Sequence, residues 1–191
     1  MEIERKTGRN DFVEVVGIDP GFSALGYAAL KITSSEMYVD RAGVITTKPS
    51  ERKRKVRKSD DNVRRILELA AEIERAAFSH NVVAVCSESM SWPRSSSACA
   101  KLGMAWGIVG TYAHQHRLPV LQVTPMELKR AACNGNGKAS KDEVIAAMVA
   151  LFGDSWLPRA KTRREHVADA IGAVWACMDS TEIKMARKMI A

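Results

Sequence analysis

Two short, almost continuously apolar runs in this chain each end in a carboxylate: VEVVGID (13–19) closes on Asp19 and VVAVCSE (82–88) closes on Glu88. Runs of this length, rich in β-branched residues, read as strands buried on both faces, and such strands need helices on each side. That requirement restricts the chain to an α/β layer architecture. An ionised carboxylate avoids an apolar interior unless it is paired or bound to a cation. Asp19 and Glu88 therefore mark strand ends, and if the two strands are neighbours the carboxylates emerge side by side and repel unless a cation lies between them.

The remaining pattern fills in the layers. Asp-Pro-Gly stops the first strand in a tight turn, and GYAALKIT (26–33) and MYVDRAGVI (37–45), separated by SSE, are predicted as its antiparallel neighbours. With Asp60 or Asp61 as cap, NVRRILELAAEIERAAF is predicted as a helix with Val63, Ile66, Leu67, Ala70, Ile73 and Ala77 on one face. Residues 97–115 are of helix length but carry Gly103, Gly107 and Gly110 on one stripe. Each interior glycine costs up to about 1 kcal/mol relative to alanine, which predicts close packing of another backbone there, within the subunit or across a dimer. PVLQVT (119–124) is a fifth strand, Pro125 opens the helix PMELKRAAC, and NGNGKAS is a loop before the helix KDEVIAAMVALF. GDSWLPRAKTRR reads as a basic loop and EHVADAIGAVWACM as the last strong helix. The expected fold is a mixed five-stranded sheet, antiparallel over strands 1-2-3 with strands 4 and 5 parallel, flanked by helices. Nothing suggests a second domain, so residues 1–191 are read as one, with an extension at 1–12, a basic insert at 48–60 and a basic tail at 180–191.

Further candidates come from the last helix. His166 and Asp169 are spaced i, i+3 and share a face, which the small residues Ala170, Ala173 and Cys177 continue, allowing close approach to the sheet edge. Three carboxylates and an imidazole would then converge, an oxygen-rich set suited to Mg²⁺ or Mn²⁺. Two such ions on a phosphodiester activate water and stabilise the leaving oxygen. The net charge of +7 points to a polyanionic partner, with the excess gathered in loops. KPSERKRKVRK (48–58) holds seven basic residues and one acid. No apolar stretch is long enough to span a membrane and the charged start lacks a signal-like region, so a cytoplasmic location is expected, on the nucleoid or in the host cytoplasm for a viral source. Cys86, Cys99, Cys133 and Cys177 are scattered, with no C-x-x-C pair, and read as small apolar residues in a reducing compartment.

Taken together, GIDPG followed by LGYA, Glu88 at the end of an apolar strand, KLG-x-x-x-G, Lys141 opening a helix after a Gly-rich loop, and HVADAIGAV resemble the RuvC family of Holliday junction resolvases, which has short phage-type members. The resemblance runs in order from about residue 14 to residue 178. It implies an RNase H-like fold, a homodimer, and cleavage of four-way DNA junctions by paired symmetric nicks, with two Mg²⁺ per active site and Mn²⁺ as a substitute. Asp19, Glu88, His166 and Asp169 match the family's metal positions, with Asp19 bridging both ions. Some members carry Asp where His166 stands. Lys141, with Lys129 as a second, matches a basic residue near the scissile phosphate.

The family places an aromatic ring near the junction crossover. Here Ser91 takes that position and Trp92 is its neighbour, the ring expected to stack on a base there. A base stacked on such a ring is worth roughly 1–3 kcal/mol. Arg52, Lys53, Arg54, Lys55, Arg94, Lys101, Arg163 and Arg164 are the expected phosphate contacts, which add affinity without sequence information. The rival readings are an RNase H-like nuclease acting on forks, flaps or structured RNA, and a junction-binding protein without catalysis. An actin-like ATPase shares the Asp-x-Gly turn but needs two such domains.

Overall fold

The computed structural model describes residues 11–51 and 55–190. Its centre is β1 (Phe12–Asp19), buried on both faces because its side chains alternate between two apolar layers. Val13 and Val15 join one core, and Val16 and Ile18 join the other. β1 pairs antiparallel with β2 (Ala24–Thr33), which pairs antiparallel with β3 (Met37–Thr46). On its other side β1 pairs parallel with β4 (Val82–Glu88), which pairs parallel with β5 (Val120–Val123). The order β3-β2-β1-β4-β5 is the mixed sheet that the sequence pattern predicts and fits the RNase H-like fold that the resemblance implies.

One face of the sheet is covered by α1 (Lys58–Ala77) and α2 (Ser96–His116). The other carries α3 (Pro125–Ala132), α4 (Lys141–Phe152), α5 (Lys161–Cys177) and α6 (Thr181–Lys188). α5 lies directly on the strands beneath α3 and α4 and is buried nearly all round, from Val167 through Cys177. Among the described residues no helix is long and apolar enough to cross a membrane.

Three local expectations are corrected. The buried stripe of α1 is Asp61, Arg65, Leu69, Ile73 and Ala77, while Val63 and Leu67 are 55% and 65% exposed. Asp61 and Arg65 find polar partners in the loops above the sheet, and this turns the helix away from its most apolar face. Neither Asp60 nor Asp61 caps α1, since Arg57 stands at its N-cap and Asp61 bonds Ser50 instead. α5 begins at Lys161, so part of the expected basic loop is its first turn. The basic tail is largely α6, held down by buried Ile183 and Ala186. A Cβ at Gly103, Gly107 or Gly110 would meet nothing within 4 Å. Among the described residues the glycine stripe of α2 therefore contacts no backbone of another element, which leaves the expected packing across a dimer. The four cysteines are free, with Cys86 and Cys177 buried.

A carboxylate-lined candidate active site

Period-two alternation decides which strand-end groups meet. Val13 and Val15 face α5, so Gly17 and Asp19 do as well. Ala84 and Cys86 put Glu88 on the same side of β4. In the parallel register Ile18 lies opposite Ser87, leaving Asp19 and Glu88 one step further along at the sheet edge. The buried Ser87 hydroxyl donates to the Ile18 carbonyl oxygen at 2.8 Å and ties these two strand ends together.

α5 completes the set because glycines let it approach. A Cβ on Gly17 would stand 1.9 Å from the Ala170 carbonyl oxygen, and one on Gly26 would stand 2.2 Å from the His166 carbonyl oxygen. With no side chain at either position, the α5 backbone rests on the strands and carries His166 and Asp169 over Asp19. His166 Nδ1 and Asp19 Oδ2 are 2.6 Å apart. Two capping boxes aim the lysines. Thr124 with Glu127 fixes the start of α3, which bears Lys129, and Ser140 with Glu143 fixes α4, whose first residue is Lys141. Asp19, Glu88, Lys129, Lys141, Glu165, His166 and Asp169 line one cavity of ≈ 320 Å³. Lys141 Nζ donates to Glu165 Oε2 at 2.6 Å.

The electrostatics are those of crowded like charges. Burial, then Asp19 and Glu88, pushes the Asp169 carboxyl up to about 7. Burial and then Asp19 raise Glu88, opposed by Lys129 and Lys141. His166 is raised chiefly by its hydrogen bond to Asp19, against the effect of burial. Asp19, Glu88 and Asp169 offer hard oxygen donors and His166 one nitrogen, a set that fits divalent cations of the Mg²⁺ and Mn²⁺ class. Among the described residues no three such side chains are drawn as close together as a bound ion would hold them. Two of the four are engaged with each other in the Asp19–His166 bond.

The raised pKa values set a sign. Between about pH 4 and 7 folded Asp169 holds a proton that the unfolded chain has lost, so metal-free stability falls as pH rises through 7. His166 acts in the same sense, since its stabilisation is complete below about 6.5 and is lost as pH climbs through its raised folded value. A divalent cation binds the deprotonated groups, so it should raise Tm more at pH 8 than at pH 6 in a thermal melt. An equal rise at both pH values would remove these groups as ligands.

The other expected contacts lie outside this cavity. Trp92 is 79% exposed on the loop after β4, with Arg94 exposed beside it. Lys101 lines a separate cleft of ≈ 330 Å³ between the starts of α1 and α2, together with Lys58. Arg163 is exposed on the first turn of α5, and Arg164 donates from Nε to the Pro158 carbonyl oxygen at 3.0 Å. Lys55 is exposed, whereas Arg52, Lys53 and Arg54 lie outside the described residues. Sequence reasoning missed Ser87, Gly17, Gly26 and Glu165. The two strand glycines were the available signal, because a glycine inside a strand often marks a close backbone approach.

Residues 15–177 match the family model described as crossover junction endodeoxyribonuclease RuvC. The crossover junction endodeoxyribonuclease RuvC of Pseudothermotoga lettingae is 28% identical over 161 residues, covering 84% of this chain and 91% of that protein. Its counterpart from Natranaerobius thermophilus is 28% identical over 163 residues, covering 85% and 92%. Among solved structures, T. thermophilus RuvC in complex with a Holliday junction substrate aligns with a TM-score of 0.63 at 25% identity, over 86% of this chain and 92% of that one. The yeast mitochondrial Holliday junction resolvase has a TM-score of 0.63 at 15% identity over 93% and 83%, a likeness of fold.

Proposed function

Because the chain belongs to the RuvC family of crossover junction endodeoxyribonucleases, we propose that it is a Mg²⁺-dependent endonuclease that resolves four-way DNA junctions by paired symmetric nicks. The observation that carries this reading is the convergence of four carboxylates, one imidazole and two lysines on a single cavity at the sheet edge. When bound, two ions of this class activate a water and stabilise the leaving oxygen of a phosphodiester. Mn²⁺ should substitute for Mg²⁺, since the donor set includes a nitrogen.

The chain's own residues divide the remaining work. Asp19, Glu88, Asp169 and His166 would hold the ions. Lys141 and Lys129 neutralise the phosphate, and to do so Lys141 must release Glu165. Trp92, exposed on its loop, stacks on a base at the crossover. Arg52, Lys53, Arg54, Lys55, Arg94, Lys101, Arg163 and Arg164 bind phosphates of the arms and make binding salt-dependent. The dimer forms on α2, whose outward glycines are open. Two subunits, one site each, supply the two nicks. The whole chain acts as one nuclease domain wherever branched DNA occurs, in the cytoplasm or in the host cytoplasm for a viral source.

The deciding experiment is a gel assay of the purified protein on four-way, Y-shaped, flap and structured-RNA substrates with Mg²⁺, Mn²⁺ or EDTA, alongside sedimentation. The expected result is a dimer that cuts the four-way junction into nicked duplexes with either ion and does nothing in EDTA. Faster cutting of forks, flaps or RNA replaces the substrate with those structures. Junction binding without metal-dependent nicking replaces the enzyme with a binding protein.

A further inference from the structure

Arg65 is charged at any ordinary pH, is 2% exposed, and takes part in no ion pair among the described residues. A guanidinium in that position is tolerated only if its donors are met. Two segments meet those of Nε and Nη2. Nε donates to Thr47 Oγ1 at 2.9 Å, and Nη2 donates to Ser23 Oγ at 2.9 Å and to the Phe22 and Thr47 carbonyl oxygens at 3.3 Å. The Phe22 ring lies under the guanidinium, 4.2 Å from its centre. Thr47 closes the set, its hydroxyl donating to the Phe22 carbonyl oxygen at 2.8 Å and its N–H to the Ser23 carbonyl oxygen at 3.1 Å.

Phe22 and Ser23 belong to the turn that follows Asp19. That turn has little slack, since a Cβ on Gly21 would fall 2.0 Å from the Ala24 carbonyl oxygen. Residues 22 and 23 lie three and four positions after Asp19, so a restraint on them reaches Asp19 through this short turn. The adjacent residues of α1 hold the start of the basic segment. Asp61 accepts the Ser50 N–H at 3.1 Å and its hydroxyl at 2.6 Å, and Arg64 Nη2 donates to the Lys48 carbonyl oxygen at 2.6 Å.

We propose that Arg65 is the positioning residue of the metal-bearing turn: its buried guanidinium, clasped by Phe22, Ser23 and Thr47, fixes Asp19 and joins it through α1 to the basic segment. This rests on the reading of Asp19 as a metal ligand. No other described cation holds residues 22 and 23, and a lysine in the same place could not bridge both segments with one planar fork.

The test uses full-length Arg65→Lys and, in case that variant folds poorly, Thr47→Val, which keeps α1 intact and removes the shared hydroxyl. Ile73→Val, a core change on the same helix, is the control for simple destabilisation. In metal-free protein, Arg65→Lys should speed hydrogen exchange at the Thr47 amide and the 22–24 amides by about tenfold, with exchange in β4 unchanged. Mn²⁺ binding to the free protein should weaken severalfold. Single-turnover cleavage at saturating junction should slow by about tenfold to a hundredfold, the scale of an ångström's misplacement, with junction affinity in Ca²⁺ unchanged. Ile73→Val should leave that rate alone. Wild-type cleavage and exchange in both folded variants overturns the proposal, as does a loss of rate that merely follows the folded fraction, as in the control. The exchange and Mn²⁺ measurements need no DNA. If they respond as expected while the wild-type protein cuts no junction, the substrate reading fails and the positioning role stands.

Discussion

Replacing Asp19 by asparagine should lower the single-turnover cleavage rate of a four-way junction by about a thousandfold or more while leaving junction binding within about twofold. Metal ions contribute several kcal/mol of charge stabilisation to such a reaction, and each 1.4 kcal/mol is about tenfold in rate. Asp19 is the carboxylate that raises both Glu88 and Asp169 and that His166 contacts, so its loss empties the centre of the donor set. The same substitution removes a negative charge from a crowded cluster, and an asparagine oxygen can still meet His166. Metal-free Tm should therefore hold or rise, and the rise in Tm on adding Mg²⁺ should largely vanish. A folded Asp19→Asn protein that still cuts would remove Asp19 from the site. A drop in metal-free Tm would show that the Asp19–His166 bond outweighs the repulsion.

The carboxylates were legible in the sequence because burial leaves few explanations for an acid at the end of an apolar strand. Alternation along β1 and β4 then put Asp19 and Glu88 on one side of the sheet, and the i, i+3 spacing of His166 and Asp169 put them on one face of α5. The face of α1 was not legible. Apolar periodicity assigns Val63 and Leu67 to the core, whereas the helix buries Asp61 and Arg65. Their partners, Ser50, Thr47, Ser23 and the Phe22 carbonyl, lie 11 to 43 residues away in sequence. A polar clasp of this kind has no period and leaves no local signature. The glycines divided in a similar way. Those of α2 stood out as helix breakers yet touch nothing among the described residues, while Gly17 and Gly26, whose place inside strands was the overlooked signal, set the height of α5 above the sheet.

Gly26→Ala and Gly17→Ala carry the largest expected effects outside the donor set, and Gly26→Ala displaces His166 directly. Its Cβ would lie 2.2 Å from the His166 carbonyl oxygen and 2.6 Å from the His166 carbonyl carbon, where ordinary contact is 3.4–4 Å. The obstacle is helix backbone and not a side chain that can turn aside. α5 would have to retreat by about 1 Å or β2 would have to bend, and overpacking of this kind costs up to about 3 kcal/mol, occasionally more. For a chain of this size that is a fall in Tm of about 6–12 °C. The same displacement carries His166 away from Asp19, so cleavage by the folded fraction should drop by about a hundredfold. Gly17→Ala meets the Ala170 carbonyl oxygen at 1.9 Å and the Val174 side chain at 2.9 Å. It should destabilise at least as much and shift Asp169, the residue before Ala170. Calorimetry with single-turnover kinetics at saturating DNA separates the two effects. Wild-type Tm and rate in either alanine variant would mean that α5 does not rest on these strands, and the placement of His166 and Asp169 over Asp19 would fall with it.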